Sequence, residues 1–169
     1  MLTIRPEKTE DHAAIRHVNT FAFGQPNEAD LVDALRRQAA LIISLVAVQD
    51  DQLVGHIAVS PVTIMSETET VVALGLAPMS VLPAYQCTGI GSQLVAAGLL
   101  VCRNTHYGIV VVLGHPAYYP RFGFVPSKPH GIVWEHDVPE DVFMVQELKD
   151  GVLAQTRGVV KYHAAFDHV

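Results

Sequence analysis

Hydrophobic residues follow two different spacings along the chain. Apolar, β-branched runs predict strands at residues 2–5, 42–48, 53–65, 71–81 and 109–114. Apolar residues three and four positions apart predict helices after residue 9, from residue 27, and over residues 92–103. The last third is more irregular, with short strands expected at 131–134, 142–147 and 159–163. The pattern therefore predicts a strand, two helices, a β-meander, a helix and further strands.

The stretch from Leu74 to Arg103 combines a strand, a glycine-containing turn and the start of a helix. The first turn of a helix has backbone N–H groups without internal partners, and the helix dipole adds positive charge there. Gly89 and Gly91 lack the Cβ atoms that would keep a phosphate away from those groups. Because Leu94 replaces the third glycine of a dinucleotide fingerprint and no Gly-Lys-Ser/Thr follows, we expect a different pyrophosphate-binding loop.

Two motifs, one at residues 86–91 and one at residues 119–124, resemble those of the GNAT acyltransferase superfamily. Residues 86–91, Gln-Cys-Thr-Gly-Ile-Gly, match the Q/R-x-x-G-x-G/A pattern of its acetyl-CoA loop. Residues 119–124, Tyr-Pro-Arg-Phe-Gly-Phe, resemble the Y-x-[KR]-x-G-F element that follows the fifth strand in that superfamily. The residues that flank both motifs are similar to those of a bacterial YhbS-like subgroup of predicted N-acetyltransferases.

The resemblance implies an α/β fold made of one GNAT acyl-CoA N-acyltransferase domain over residues 1–169. Such a domain has a mixed, mostly antiparallel sheet flanked by helices, with the parallel fourth and fifth strands splayed apart. The strand–helix–strand connection through residues 92–103 independently predicts a parallel pair with a right-handed crossover.

Acetyl-CoA is the cosubstrate that the resemblance implies. The backbone N–H groups of residues 88–92 are expected to hold its pyrophosphate, and the strand end at 79–81 its pantetheine arm. The N–H of Val81 or of Met79 would stabilise the oxyanion. The expected cofactor-binding residues are Met79, Ser80, Val81, Gln86, Cys87, Thr88, Gly89, Ile90, Gly91 and Ser92.

The reaction implied is transfer of an acetyl group to a primary amine of an unidentified small molecule or protein. Tyr119 is the expected general acid for the departing thiolate, since a phenol is protonated at neutral pH, and Tyr118 is its rival. Glu28 and His115 are the two candidates for the base that deprotonates the amine.

Other residues and one other function are weaker candidates. His56 and Glu67 are less favoured as the base, and Trp134 and Tyr85 are candidates for lining an acceptor pocket. A catalytically inactive CoA-binding or sensory module of the same fold is the alternative function.

Composition and charge limit the kinds of partner that we expect this protein to bind. A formal net charge of −6 without a basic stripe argues against nucleic acid and is compatible with a cationic amine. No apolar run reaches the roughly 18 residues of a membrane span, and residues 1–7 do not resemble a signal peptide, so we expect a cytoplasmic protein without membrane contact. The nine histidines show no metal-ligand spacing, so no metal is expected. An exposed strand near the C-terminus suggests a possible homodimer.

Overall fold

The computed structural model describes residues 1–169 and divides into two compact units. The first comprises residues 1–60, 77–101 and 164–169, and the second comprises residues 61–76 and 102–163. Nine strands make a mixed sheet, and strands β3 (Gln52–Met65) and β4 (Thr70–Val81) each contribute residues to both units. The predicted mixed α/β fold is confirmed.

The first unit contains an antiparallel β-meander and three helices. Strand β1 (Leu2–Pro6) pairs with β2 (Ile43–Gln49), which pairs with β3. The helices are α1 (His12–Phe23), α2 (Asn27–Arg37) and α3 (Ile90–Arg103), whose last two residues belong to the second unit. The predicted helices and strands of this unit are confirmed, with ends that differ by a few residues.

The second unit contains the parallel pair predicted from the strand–helix–strand order. Strand β5 (Ile109–Leu113) runs parallel to β4, with Leu74 opposite Val110 and Gly75 opposite Val111. Strand β8 (Phe143–Glu147) is antiparallel to β5 and also pairs with the two-residue strand β6 (Val125–Pro126). The hydrophobic pattern missed β6 and the four-residue helix α4 (Val152–Gln155) because both are too short to show a period.

The last strand does not provide the free edge on which the homodimer expectation rested. Strand β9 (Gly158–Tyr162) pairs with β3 on one side and with β7 (Ile132–Trp134) on the other. Both of its hydrogen-bonding edges are therefore occupied within the chain, and the predicted exposed strand is wrong.

Close packing of α3 on β3 depends on a missing side chain. A Cβ on Gly55 would lie 2.9 Å from Cδ1 of Leu94 and 3.3 Å from the carbonyl oxygen of Ser80. Leu94 is fully buried and occupies the space above that glycine. A side chain at position 55 would push α3 away from the strand, and with it the loop that precedes the helix.

None of the helices combines the length and apolar character that crossing a membrane requires.

A chain of buried polar groups links α1 to strands β2 and β3 in the first unit. His56 on β3 is completely buried, with its Nδ1 3.1 Å from Nδ2 of Asn19 and its Nε2 2.8 Å from the Ser44 hydroxyl. The Ser44 hydroxyl donates a hydrogen bond to the Glu7 carboxylate, which also accepts two hydrogen bonds from Arg36 at 3.0 Å each. The Glu7–Arg36 ion pair is thereby connected through Ser44 to the buried His56.

The directions of these hydrogen bonds determine the state of the imidazole. Because the Ser44 hydroxyl donates to Glu7, its oxygen accepts the Nε2 proton of His56. The Asn19 amide nitrogen also donates to the carbonyl of Ile15, so it presents a hydrogen to Nδ1. Both ring nitrogens are satisfied in the neutral form, and burial lowers the pKa of His56 from 6.5 to about 4. His56 is therefore neutral, structural and inaccessible, which removes it as a candidate base.

The lowered pKa of His56 makes stability depend on pH in a defined window. Between pH 6.5 and about 4 the unfolded chain binds a proton at this residue that the folded chain does not, so stability falls as the pH falls. We expect about 2 kcal/mol of unfolding free energy to be lost at this residue between pH 7 and pH 5. Urea unfolding of the wild type and of His56→Gln would measure it.

The glutamine variant keeps hydrogen-bonding capacity but does not titrate, so its stability should fall less over the same pH interval. His106→Gln removes an exposed histidine and serves as the control, with the pH dependence of the wild type. Parallel pH curves for the wild type and His56→Gln would contradict this assignment.

Candidate active site

The loop between β4 and α3 presents backbone donors at a helix N-terminus. Helix α3 begins at Ile90, and the N–H of Gln93 donates to the carbonyl of Gly89 at 3.1 Å. The N–H groups of Ile90 and Gly91 lie before that bond, in the turn where no helical carbonyl is available to them. This end of α3 carries the positive pole of a 14-residue helix and is suited to binding an anion.

Gly89 leaves the space in front of this helix open. Its φ is +90°, in the left-handed region that side chains disfavour, and a Cβ placed there would have no protein atom within 4 Å. A side chain would therefore be strained, and it would extend into the space that the helix N-terminus faces. Cys87 also has a positive φ, 61°, and its thiol is exposed and unpaired with another cysteine.

Two predicted cofactor-binding side chains shape the loop. The Gln86 amide donates to the carbonyl of Val81 at 2.9 Å, which ties the loop to the end of β4. The Thr88 hydroxyl donates to the carbonyl of Tyr85 at 2.5 Å, and Tyr85 is the last residue of the short helical turn Pro83–Tyr85. These bonds hold the loop in its curved path and leave its backbone N–H groups as the donors for an anion.

The predicted residues at the end of β4 lie beside this loop in the same unit. Ser80 and Val81 are buried, Met79 is half-buried, and the peptide bond before Pro78 is cis. The Ser80 hydroxyl is buried and has no hydrogen-bond partner within the protein. An orphaned hydroxyl at this position is a polar group that a ligand along the strand end would satisfy.

Tyr119 lies in the second unit, in a turn that follows β5. Its N–H donates to the carbonyl of His115 at 3.4 Å, and its ring packs edge-on against Phe124 with centroids 5.7 Å apart. The ring also covers Gly114, where a Cβ would collide with it. Burial raises the pKa of Tyr119 to about 12, with a further contribution from the neighbouring Tyr118. The phenol is therefore a proton donor at neutral pH.

The two tyrosines of this turn differ in their surroundings. Tyr118 is half-buried, and the guanidinium of Arg121 lies 4.6 Å from the centre of its ring. The Nε of Arg121 donates to the Tyr118 carbonyl at 3.3 Å and so supports the turn. Tyr119 is 9% exposed and lies in apolar surroundings.

The two candidate bases are placed differently as well. His115 is exposed, and its Nδ1 accepts the N–H of Ala117 at 3.1 Å. In the neutral ring the proton is therefore on Nε2. Glu28 is in the first turn of α2, 7% exposed, and its carboxylate accepts two contacts from the Gln25 amide at 2.7 and 3.2 Å. His115 belongs to the unit of Tyr119, and Glu28 to the unit of the loop between β4 and α3.

Residues 3–126 match the family model described as an acetyltransferase (GNAT) domain, which is more than half of the chain. The chain belongs to the GNAT acetyltransferase family. Its relatives include the Escherichia coli K12 protein named uncharacterized N-acetyltransferase YhbS, 36% identical over 167 residues, 98% of this chain and 99% of that protein. Another relative, uncharacterized N-acetyltransferase YjhQ of the same organism, is 38% identical over 144 residues, 82% of this chain and 80% of that protein.

Solved structures of GNAT proteins show the same fold. The crystal structure of Escherichia coli YhbS in complex with CoA superimposes with a TM-score of 0.91 at 35% identity, covering 98% of this chain and 92% of that one. A GNAT family acetyltransferase from Brucella melitensis in complex with acetyl-CoA gives 0.80 at 38% identity, covering 99% of both chains. The recognition of the GNAT family and its fold from the two motifs is confirmed.

Sequence reasoning missed the support beneath the second GNAT motif. Gly123 has a φ of +99°, and a Cβ there would lie 2.7 Å from Nε2 of Gln146. That amide donates to the carbonyl of Phe122, and its oxygen accepts a hydrogen bond from Arg103 at 3.0 Å. The glycine of the motif is needed for this close approach of Gln146, but Arg103 and Gln146 are too distant in sequence to suggest a pair.

No group of three or more His, Cys, Asp or Glu side chains is arranged to hold a metal ion.

Proposed function

We propose that this GNAT acetyltransferase transfers the acetyl group of acetyl-CoA to a primary amine by direct attack. The observation that carries the proposal is the open glycine loop at the N-terminus of α3, whose exposed backbone donors suit a pyrophosphate. The YhbS structure with CoA and the Brucella structure with acetyl-CoA support the choice of cosubstrate, since both relatives align over nearly the whole chain.

The cosubstrate would be held by main-chain groups at two places. The N–H groups of residues 88–92 would bind the pyrophosphate, and Gln86 would act by holding the loop to Val81. Residues Met79, Ser80 and Val81 would bind the pantetheine arm, with the Ser80 hydroxyl available as a partner. The N–H of Val81 or Met79 would stabilise the oxyanion.

In the chemical step, the neutral amine nitrogen attacks the thioester carbon, a C–N bond forms and the C–S bond breaks. Tyr119 donates its phenolic proton to the departing sulfur, and its high pKa keeps that proton available at neutral pH. His115 is exposed, so its ring can turn away from the Ala117 N–H, and the nitrogen lone pair that is freed removes the proton from the amine. Glu28 is the alternative base.

Replacing Tyr119 by phenylalanine should lower kcat by about 100-fold or more, because the leaving thiolate loses its proton donor. Affinity for acetyl-CoA should stay within about twofold, since the change removes one oxygen whose proton is transferred to the sulfur only in the transition state. Amine-dependent thiol release and calorimetry would measure the two quantities. Tyr118→Phe is the matched control and should keep most of the activity.

Equal kcat values for the wild type and Tyr119→Phe would remove Tyr119 from the mechanism. A wild-type protein whose melting temperature rises with acetyl-CoA but which shows no amine-dependent turnover would instead identify the inactive CoA-binding module.

A valine at Gly89 should weaken CoA binding by about 100-fold or more, because a branched side chain would enter the space that the loop keeps open for an anion. Gly151→Val is a matched control, since Gly151 also has a positive φ, 84°, and open space around a Cβ. Both variants should lose similar thermal stability, and calorimetry should show lost CoA affinity only for Gly89→Val. Retained affinity would place the pyrophosphate elsewhere.

The choice between the two bases is tested by kcat/KM at neutral pH. We expect His115→Gln to lower kcat/KM by about 100-fold, because the amine loses its proton acceptor. Glu28→Gln fills the same volume without a carboxylate and should keep kcat/KM within about twofold of the wild type. The reverse result would assign the base to Glu28.

A further inference from the structure

The second unit contains a cavity of about 270 Å³ that the mechanism above does not use. It lies between the end of β7, the loop of residues 135–140 and the start of β8. Pockets for drug-sized ligands begin at about 300 Å³, so this cavity suits a smaller molecule. Trp134 is the one lining residue that sequence analysis considered for an acceptor pocket.

Aromatic rings form one wall of the cavity. Trp134 is stacked beside Phe143, with ring centroids 6.1 Å apart and planes inclined by 15°. His136 approaches the edge of Trp134 at 4.8 Å, and Val138 and Pro139 extend the apolar surface. A ligand with an apolar body would bury surface against these side chains, and an aromatic face also attracts cations.

The charges around the cavity favour a cation. Glu135, Asp137 and Glu140 contribute three carboxylates, and Lys128 contributes the one ammonium group. The imidazole of His136 lies 4.0 Å from the Glu135 carboxylate and adds positive charge only when protonated. With His136 neutral the lining carries a net charge of two negative units, which opposes an anionic ligand and attracts an amine.

Ser127 is a buried residue in the wall of the cavity. It is 2% exposed, and its backbone groups are bonded to Phe143, His130 and Ile132. These main-chain hydrogen bonds hold this part of the wall against the start of β8.

Tyr162 on β9 is a buried ring beside the wall of the cavity. It meets Trp134 edge-on, with centroids 6.1 Å apart. Burial raises the pKa of Tyr162, and an electrostatic interaction with Tyr119 raises it further. Trp134 and Tyr119 therefore both interact with this side chain.

We propose that this cavity binds the acetyl acceptor, and that the acceptor is a small primary amine with an apolar body, bound as its cation. The inference rests on the proposed function, because the amine must reach the thioester near Tyr119. In this arrangement the rings of Trp134 and Phe143 hold the apolar body. The carboxylates of Glu135, Asp137 and Glu140 attract the ammonium group at the cavity mouth.

Trp134 is the only tryptophan in the chain, so its fluorescence reports on this cavity alone. Titration of the purified protein with 2-phenylethylamine should give a saturable change in that fluorescence without any CoA present. The isosteric neutral compound 2-phenylethanol should bind at least about tenfold more weakly, because it lacks the charge. Raised salt should weaken the amine binding, since the carboxylates are exposed.

Two triple variants distinguish the effect of the cavity carboxylates from the effect of the overall negative charge of the protein. The triple variant Glu135→Gln, Asp137→Asn, Glu140→Gln should lose about tenfold or more in amine affinity and raise KM for the amine with little change in kcat. The control triple variant Glu69→Gln, Asp150→Asn, Asp167→Asn removes the same charge at exposed positions away from the cavity and should behave as the wild type. Calorimetry should give the wild-type affinity for acetyl-CoA in both variants.

Unchanged amine affinity in the cavity variant, or no fluorescence response to the amine, would overturn the proposal. Failure of the proposed function has a different signature, namely absent acetyl-CoA binding in calorimetry, and the amine titration does not depend on that measurement. Equal responses to 2-phenylethylamine and 2-phenylethanol would show an apolar cavity without selection for a cation, and would also overturn it.

Discussion

Backbone N–H groups at the start of α3 are the feature on which the proposed binding of acetyl-CoA depends. The first N–H groups of any helix lack an intrahelical carbonyl, but binding an anion there requires a chain that turns into the helix without covering them. Gly89 in the left-handed region provides that turn, and the Gln86 bond to Val81 holds it against the end of β4. Gly55 lets α3 pack close to β3, so helix and strand end are held together within the first unit.

Burial favours the neutral form of both His56 and Tyr119, with opposite consequences for their chemical roles. His56 is kept neutral because its ring nitrogens are both occupied and its charge would be costly in the interior. Tyr119 keeps its proton because a phenolate would be costly in similarly apolar surroundings. In the first case burial removes a group from chemistry, and in the second it maintains the protonated form that a general acid requires.

The two proposed binding sites, the loop between β4 and α3 and the aromatic cavity, differ in the groups that would contact a ligand. The loop depends on main-chain donors, so several side chains at positions such as Cys87 are compatible with it. The cavity depends on side chains: a tryptophan, a phenylalanine and three carboxylates. Recognition of the cosubstrate by backbone and of the acceptor by side chains would let the first stay constant while the second varies between GNAT proteins.

Local sequence determined the elements and the family, because strands, helices and the glycine loop are set by residues close together in the chain. The parallel pairing of β4 with β5, the helix start near Gly89 and the motif at Tyr119 all followed from such patterns. Tertiary structure alone decided that β9 lies between β3 and β7, that His56 is buried between Asn19 and Ser44, and that Gln146 supports Phe122. It also gathered Ser127, Trp134 and Phe143 around one cavity. These contacts join residues from separate segments, and their pairing depends on packing of the whole chain, which no local pattern records.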